Sequence, residues 1–213
     1  MPRPIPTPIV HFTRVEHLAT IIGGGLVSDT RAQQSGMLQV EIGHHDIKER
    51  RRHREVPVAA GGVVADYVPF YFAPRSPMLY VIERGSVPTY DQGCDGIIYL
   101  VTTTQRLVEH RLSVAVSDRN AVLAHASIID LEESTIEAHI DWALMASTYW
   151  NDTPEAPDRK ERRMAECLAH GAVPWSAFTD VVARNTSTAD EARRVIARAG
   201  QRTPVTVRPN WYF

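Results

Sequence analysis

The sequence predicts an α+β domain whose sheet is mostly antiparallel. Short apolar segments typical of strands are scattered along the 213 residues between short segments with helical spacing, without regular strand–helix–strand alternation. The chain is 44% hydrophobic and 23% charged, which is enough to bury a sizeable core and too apolar for a disordered chain. No repeat or linker divides it, so we expect a single domain over residues 1–213.

The individual elements follow from local patterns. Apolar residues at helical spacing predict a helix over 15–22, which ends at the glycine triplet 23–25. The triplet lacks the spacing of a phosphate-binding loop, so we predict a turn there. Further helices are predicted over 103–110, 121–126 (capped by Asp118) and 189–199, and 135–145 is compatible with an amphipathic helix. The predicted strands are 9–12, 26–28, 78–82, 96–101, 112–117 and 205–207.

Charge and cysteine content restrict the function classes. A net charge of −2 gives no global attraction for nucleic acid, so such a site would depend on local patches. Two cysteines, Cys94 and Cys167, are too few for a disulfide framework and favour a reducing compartment, with a single bridge left open. No segment approaches the roughly 18 apolar residues of a membrane span, and no signal-peptide pattern is present. We therefore expect a soluble cytoplasmic protein that does not contact membranes.

Residues 66–80 form the most informative segment, with five aromatic side chains and three prolines around Arg75. Pro69, Pro74 and Pro77 exclude a long helix and disfavour a central strand, so we expect a short extended piece over 67–72 followed by a rigid turn. Rings on a stiff backbone beside a guanidinium suit a flat ligand such as a nucleobase or nicotinamide. The alternative is a proline-rich loop whose rings fill the core.

A basic run over 43–54 precedes this segment by about a dozen residues. It holds five lysines and arginines against two acids, which is most often a solvated face. Because it lies so near the aromatic segment, the two together are a candidate surface for a nucleic acid strand. Its histidines (His44, His45 and His53) fit no standard zinc spacing, and we expect no metal.

Glu166 stands in an otherwise apolar stretch, 165–169. It is either a surface glutamate on an edge strand or a catalytic carboxylate at the floor of a cleft, where it could stabilise a developing cation. His11 and Thr13 flank Phe12 on the first strand, so both side chains point to one face. For His11 alone, a structural role is the default interpretation.

Taken together, these segments resemble the DarT family of bacterial toxins that ADP-ribosylate DNA. Four blocks in the same order carry the resemblance, and it extends from His11 to the final residues, 210–213. The blocks are His11-Phe12-Thr13 with Gly24-Gly25-Leu26; Ile47-Lys48-Glu49-Arg50-Arg51; Val68-Pro69-Phe70-Tyr71 with Ala73-Pro74-Arg75-Ser76-Pro77-Met78-Leu79-Tyr80; and Arg163-Met164-Ala165-Glu166-Cys167-Leu168 before Val173-Pro174-Trp175.

The resemblance implies a compact ADP-ribosyltransferase fold, with a split mixed sheet, flanking helices and NAD in the cleft as co-substrate. It implies that Glu166 and Arg51 are catalytic, with Arg50 and Arg52 open as alternatives to Arg51. The residues expected to contact NAD are His11, Thr13, Gly25, Leu26, Tyr67, Tyr71 and Met78. The side chains expected to contact nucleic acid are Arg50, Arg52, Arg75 and Arg119. Residues 120–150 are expected to lie over the acceptor side.

The implied activity is transfer of ADP-ribose from NAD to thymine in single-stranded DNA, with release of nicotinamide, by a monomeric toxin. The resemblance also implies an antitoxin partner that carries a macrodomain, as DarG does, and removes the modification. Two alternatives remain open: an ADP-ribosyltransferase with an RNA or protein acceptor, and a catalytically silent module that binds single strands.

Overall fold

A computed structural model describes residues 2–36, 45–86, 90, 92–132 and 134–213, with His45 and Asp46 described by their backbone alone. His44 of the basic run lies outside the described residues. Within these ranges, none of the helices combines the length and apolar character needed to cross a membrane. Cys94 and Cys167 are both buried free thiols, so the single bridge left open by the sequence is not formed.

Ten strands are present in the described residues. They are β1 (Pro8–Arg14), β2 (Leu26–Val27), β3 (Tyr67–Tyr71), β4 (Ile97–Thr103), β5 (Val114–Ser117), β6 (Ile128–Asp130), β7 (Glu166–His170), β8 (Ala172–Val173), β9 (Asp180–Ala183) and β10 (Val205–Val207). Eight form one sheet in the order β10-β9-β4-β1-β3-β7-β5-β6, and β2 pairs with β8 separately. Of the described pairings only β9–β10 is parallel, so the predicted mostly antiparallel α+β sheet is confirmed.

Short helices flank the sheet. They are α1 (Leu18–Gly24), α2 (Asp29–Gln34), α3 (His45–His53), α4 (Pro77–Glu83), α5 (Thr104–Glu109), α6 (Ile136–His139), α7 (Trp142–Ala146), α8 (Arg159–Arg163) and α9 (Thr186–Arg198). The predicted helices over 15–22 (a 3-10 turn, then α1), 103–110 and 189–199 are confirmed. In α9, the Asn185 side chain accepts a hydrogen bond from the Thr188 amide and caps the helix, and Ala189, Ala192 and Ile196 bury one face.

The sheet has one continuous apolar core on one face and two separate clusters on the other. Phe70, Val116 and Cys167 belong to the continuous core, which α1 and α9 cover. On the opposite face, one cluster lies over β1 and β4 and a second lies over β5 and β7. The register aligns Tyr71 with Glu166, and Glu166 with Ser117, on this divided face. The division leaves room for a site between the clusters.

The prediction that 67–72 avoids the centre of the sheet is wrong, because β3 lies between β1 and β7. Pro69 is tolerated there because β1 and β3 share a single paired position, Val10 with Tyr71. Beyond that pair the strands separate, and the Pro69 carbonyl accepts a hydrogen bond from Nδ1 of His11 at 2.8 Å. The proline therefore lies where the sheet splits.

The strand predicted over 78–82 is wrong, since these residues belong to helix α4. Ser76 caps it, with its hydroxyl accepting from the Leu79 amide at 3.2 Å, and Pro77 occupies the first helical position. Both start signals are present in the sequence. They outweigh the apolar run that favours a strand.

The helix predicted over 121–126 is also wrong, because these residues form turns. Asp118 does not cap a helix but accepts a hydrogen bond from the Ser127 amide at 2.9 Å, which closes a loop. The stretch 135–145 contains two helices, α6 and α7, and Asp141 caps the second by accepting from the Leu144 amide. A new N-cap in the middle of an amphipathic pattern interrupts the helix.

Candidate active site

The centre of the site is an ion pair between residues 115 positions apart in the chain. Nη1 of Arg51, on α3, donates to Oε1 and Oε2 of Glu166, the first residue of β7, at 3.1 and 3.2 Å. Glu166 is buried and Arg51 is nearly so. Nη2 of Arg51 is buried and has no hydrogen-bond partner among the described residues. The pair therefore retains one unused, inward-facing donor.

The helix α3 presents one of its three consecutive arginines to this carboxylate. Arg50 is exposed on the outer side. Arg52 donates to Glu49 at 2.8 Å and lies 3.8 Å from Asp29 of α2. Because adjacent helical residues point about 100° apart, the pairing of Arg52 with α2 directs Arg51 towards the sheet.

Burial raises the pKa of the Glu166 carboxyl, while Arg51 and a backbone hydrogen bond from Ala121 act in the opposite direction. The Glu166 amide donates to the Ser117 hydroxyl at 3.3 Å, which ties the residue to β5. A carboxylate held in this way on a central strand is not a surface group. Of the two interpretations drawn from the sequence, the edge-strand glutamate is excluded.

Tyr71 and Met78 lie beside this pair. Tyr71 is paired with Glu166 in the β3–β7 register, and its hydroxyl donates to the Met78 sulfur at 3.9 Å. The Tyr71 ring stacks on Phe12, with centroids 6.0 Å apart and an interplanar angle of 12°. Burial and the nearby Glu166 raise the pKa of Tyr71, so its phenol stays protonated at neutral pH.

His11 lies in the gap between β1 and β3. The Pro69 carbonyl can only accept, so Nδ1 of His11 carries the proton and Nε2 is left with its lone pair. Burial lowers the pKa of His11 to about 4, and the charge of Arg51 contributes, so the imidazole is neutral at pH 7. Thr13, two positions along the same strand face, has its hydroxyl 3.0 Å from Nδ1 of His17.

Three of the residues expected to contact NAD lie towards the far end of β7 from Glu166. Gly25 has φ +83°, and an added Cβ would lie 2.8 Å from the Val173 carbonyl oxygen. Leu26 pairs with Val173. The Tyr67 hydroxyl donates to the Gly61 carbonyl at 2.8 Å. Tyr67 belongs to the cluster over β5 and β7 on the same face as Glu166, whereas Leu26 belongs to the continuous core on the other face.

The arginines expected to contact nucleic acid differ in their surroundings. Arg119 lies between three carboxylates, 3.1 Å from Asp118, 3.5 Å from Asp158 and 3.6 Å from Glu161. Arg75 has φ 57° and places its guanidinium 4.7 Å from the centroid of the Phe213 ring.

Sequence reasoning assigned no role to two arginines that hold the site together. Arg163 is buried and donates from Nη1 to the carbonyls of Leu144 and Met145 at 2.7 and 2.8 Å, and from Nη2 to that of Pro74 at 2.8 Å. Arg54, one turn after Arg51, donates to the carbonyl of Ala121 at 3.3 Å and to that of Ala126 at 3.1 Å. Arg163 stands three residues before Glu166, and Arg54 stands three residues after Arg51. This short spacing from the two candidate catalytic residues is the sequence signal that could have identified both arginines.

Comparisons with known proteins point to one family. The chain matches the family model described as "ssDNA thymidine ADP-ribosyltransferase, DarT" over residues 10–213. It is 36% identical over 213 residues to a DNA ADP-ribosyl transferase of Thermus sp. (strain 2.9), which covers 99% of this chain and 98% of the relative. A DNA ADP-ribosyl transferase of Mycobacterium tuberculosis (strain ATCC 25618 / H37Rv) is 30% identical over 207 residues, covering 95% and 87%.

Solved structures give the same result. Thermus sp. 2.9 DarT in complex with ADP-ribosylated ssDNA superposes with a TM-score of 0.91 at 34% identity, covering 100% of this chain and 99% of that one. The same protein in complex with NAD+ gives 0.87 at 33% identity, covering 99% and 100%. Thermosipho africanus DarTG in complex with ADP-ribose, at 18% identity and a TM-score of 0.75, shows a shared fold over 97% of this chain and 51% of its own. The resemblance drawn from the sequence and the predicted ADP-ribosyltransferase fold are thus confirmed, and the chain belongs to the DarT family of single-stranded-DNA thymidine ADP-ribosyltransferases.

Proposed function

We propose that this protein transfers ADP-ribose from NAD to thymine in single-stranded DNA and releases nicotinamide, with Glu166 and Arg51 as its catalytic pair. Membership of the DarT family supports the reaction and the use of NAD as co-substrate. One observation carries the assignment of the residues. It is the contact of Arg51 with both oxygens of the buried Glu166 carboxylate, at 3.1 and 3.2 Å.

Glu166 acts on the sugar side of the reaction. Breaking the bond between ribose and nicotinamide gives the ribose oxocarbenium character. A fixed carboxylate offsets this charge and accepts a hydrogen bond from a ribose hydroxyl. Because Glu166 is buried, its interaction with the developing cation is screened less than it would be in water.

Arg51 acts on the base side. A thymine ring nitrogen is a poor nucleophile while it holds its proton, and an arginine cannot remove that proton because its guanidinium stays charged. The unused Nη2 can instead donate to a thymine carbonyl oxygen and stabilise the anion left when that proton passes to solvent water. The new nitrogen–carbon bond then forms at the ribose carbon from which nicotinamide departs.

The remaining site residues divide into two groups in this proposal. Since the ring nitrogen is paired inside a duplex, the acceptor is single-stranded or extruded. The NAD side comprises His11, Thr13, Gly25, Leu26, Tyr67, Tyr71 and Met78. The DNA side comprises Arg50, Arg52, Arg75 and Arg119. With a net charge of −2, affinity for the strand depends on these local cations and on stacking.

The test is mass spectrometry of a thymine-containing single-stranded oligonucleotide after incubation with NAD. We expect the mass of one ADP-ribose to be added by the wild type and by Glu109→Gln, an exposed carboxylate on α5. Glu166→Gln should reduce the rate by about 10²–10³-fold, the usual effect of removing one electrostatic stabiliser.

Parallel reactions contain the duplex, an RNA of the same sequence, and protein as acceptor. Modification confined to RNA or protein would favour the alternative acceptors. If NAD gave no thermal shift and Glu166→Gln changed nothing, the protein would be a silent binding module.

We further propose that the protein is a cytoplasmic monomer. We also propose that a macrodomain antitoxin of the DarG kind removes the ADP-ribose that the protein attaches to DNA. Light scattering after size-exclusion chromatography measures the molar mass and so tests whether the protein is a monomer. Adding a macrodomain hydrolase to the modified oligonucleotide should restore its original mass. An adduct that resists the hydrolase would contradict the antitoxin assignment.

A further inference from the structure

Tyr149 has the most exposed large apolar side chain in the part of the chain that the structure describes, with 81% of its surface accessible. No described aromatic ring contacts it. A single exposed ring is common on protein surfaces and needs no explanation by itself. Three further observations distinguish this one.

The backbone beneath the ring is held in place. The Tyr149 carbonyl accepts from Nη2 of Arg159 at 2.8 Å and from the Ser147 hydroxyl at 2.6 Å. Nε of Arg159 also donates to the Asn151 carbonyl at 3.0 Å. Three bonds fix a loop that would otherwise be free, so the exposed ring occupies a defined position.

The loop is also tied to the catalytic strand. Arg163, three residues before Glu166, donates to the carbonyls of Ser147 and Leu144 and to that of Pro74. The neighbouring Trp150 ring contacts Phe213, and Phe213 lies under Arg75. The residues on either side of Tyr149 are therefore connected to Arg163 and to the Arg75–Phe213 contact.

The loop 147–158 itself carries three acidic residues and no basic one, so attraction for a polyanion has to come from the arginines beside it. Asp152 pairs with Lys160 at 3.5 Å, and Asp158 with Arg162 at 3.0 Å. Arg159 and Arg75 form no ion pair with any described carboxylate. Arg159 donates to two loop carbonyls and Arg75 lies over the Phe213 ring, so no described carboxylate pairs with either charge.

We propose that Tyr149 is a stacking platform for an unpaired base that flanks the target thymine, with Arg159 and Arg75 contributing attraction for the phosphates. This inference rests on the proposed function, since it names a further contact for the same DNA strand. Each base presents a flat face to an aromatic ring, and such stacking contributes about 1–3 kcal/mol per base. Tyr149 would thus add affinity for the strand with little sequence preference.

The experiment measures steady-state transfer to a single-stranded oligonucleotide at saturating NAD. Tyr149→Ala should raise the KM for the oligonucleotide by about 5- to 150-fold, which is that free energy expressed as a ratio. The effect on kcat should be much smaller. Tyr149→Phe keeps the ring and should stay within about twofold of the wild type. Val108→Ala, at an exposed apolar residue of α5, is the matched control and should behave as the wild type.

A second arm identifies the stacked nucleotide. Abasic sites, which keep the phosphate and remove the base, replace the flanking positions one at a time. The wild type should lose affinity at one flanking position more than at the others, and Tyr149→Ala should be insensitive at that position. This coupling is specific to a base–ring contact and would not arise from a general loss of folding.

The outcomes separate this inference from the proposed function. If the wild type modifies no oligonucleotide, the proposed function fails. If the wild type is active and Tyr149→Ala has the KM of Val108→Ala, the stacking proposal is wrong. It is equally wrong if Tyr149→Phe is as impaired as Tyr149→Ala, because the hydroxyl would then be responsible. Equal melting temperatures for the wild type and Tyr149→Ala are expected for so exposed a side chain.

Discussion

Arg51 contacts both oxygens of Glu166 through the single nitrogen Nη1, and its second terminal nitrogen Nη2 is buried without a partner among the described residues. The ion pair therefore occupies only part of the guanidinium. A buried donor that makes no hydrogen bond is costly unless another molecule satisfies it. We interpret this arrangement as a guanidinium held by one carboxylate and ready to donate to a second acceptor.

This arrangement distinguishes arginine from lysine at position 51. A lysine ammonium can pair with Glu166 but lacks a second terminal nitrogen in a planar fork. We expect Arg51→Lys to fold normally and to lose about 10²-fold or more in kcat for transfer to single-stranded DNA. Initial rates at saturating NAD and oligonucleotide measure this.

Arg198→Lys is the matched control, because Arg198 is exposed in the last turn of α9 and is not assigned to the site. Its kcat should remain near that of the wild type. An Arg51→Lys variant with the wild-type kcat would remove Arg51 from the mechanism.

The partly buried His11 makes the free energy of unfolding depend on pH. Its pKa of about 4 in the folded protein lies below the ordinary 6.5, so the unfolded chain takes up the proton first as the pH falls. The free energy of unfolding should therefore decrease from about pH 7 to about pH 4 and then level off as far as His11 is concerned. Urea denaturation at each pH measures it.

The comparison variant is His11→Asn, whose side-chain amide can still donate to the Pro69 carbonyl but does not titrate. Its free energy of unfolding should fall less steeply over the same pH range. Val108→Ala, at an exposed position on α5 that carries no titrating group, should keep the wild-type slope. A His11→Asn slope equal to that of the wild type would show that His11 is not buried in its neutral form.

Gly25 is required for two reasons that can be measured separately. Its φ of +83° disfavours any side chain, and an added Cβ would lie 2.8 Å from the backbone oxygen of Val173. Gly36 also has a positive φ, +66°, but has nothing within 4 Å of an added Cβ. Gly36→Ala should cost about 1 kcal/mol of the free energy of unfolding.

Gly25→Ala should cost about 1–3 kcal/mol more, because the β2–β8 pair must shift to relieve the contact. Denaturant titration of both variants gives the difference. Gly25→Ala should also raise the KM for NAD, because Gly25 is assigned to the NAD side of the proposed site. Equal losses of stability would mean that the contact with Val173 relaxes freely.

Arg163 should contribute more to stability than its neighbour in the same helix. Arg163→Met leaves the carbonyls of Leu144, Met145 and Pro74 without their donor in a buried region, and we expect a loss of about 2–4 kcal/mol. Burial also lowers the pKa of Arg163 to about 10, so its proton remains bound at neutral pH. Thermal and urea denaturation measure the loss.

Arg162→Met serves as the control. Arg162 is partly exposed and pairs with Asp141 and Asp158, so its removal should cost less than about 1 kcal/mol. Similar losses for the two variants would contradict the structural role given to Arg163.

Several features were accessible from the sequence because they depend on local order. The mostly antiparallel α+β class, the helix after the first strand and the final helix α9 follow from periodicity and caps. The family follows from motif blocks in a recognisable order, which include Glu166, Arg50 and Arg51. Helix α4 was not predicted, although Ser76 and Pro77 are helix-start signals. The apolar run 78–82 was instead interpreted as a strand.

Other features depend on contacts between residues distant in the chain. Local patterns could not choose Arg51 over Arg50 and Arg52, since the choice follows from the pairing of Arg52 with α2 and the position of β7. They could not place Pro69 in a central strand either, because a proline is tolerated there only where β1 and β3 separate. The order of the motif blocks identified the family, and that resemblance implied the chemistry. Long-range packing decided which guanidinium reaches the carboxylate, because that depends on how a helix and a strand 115 residues apart are held together.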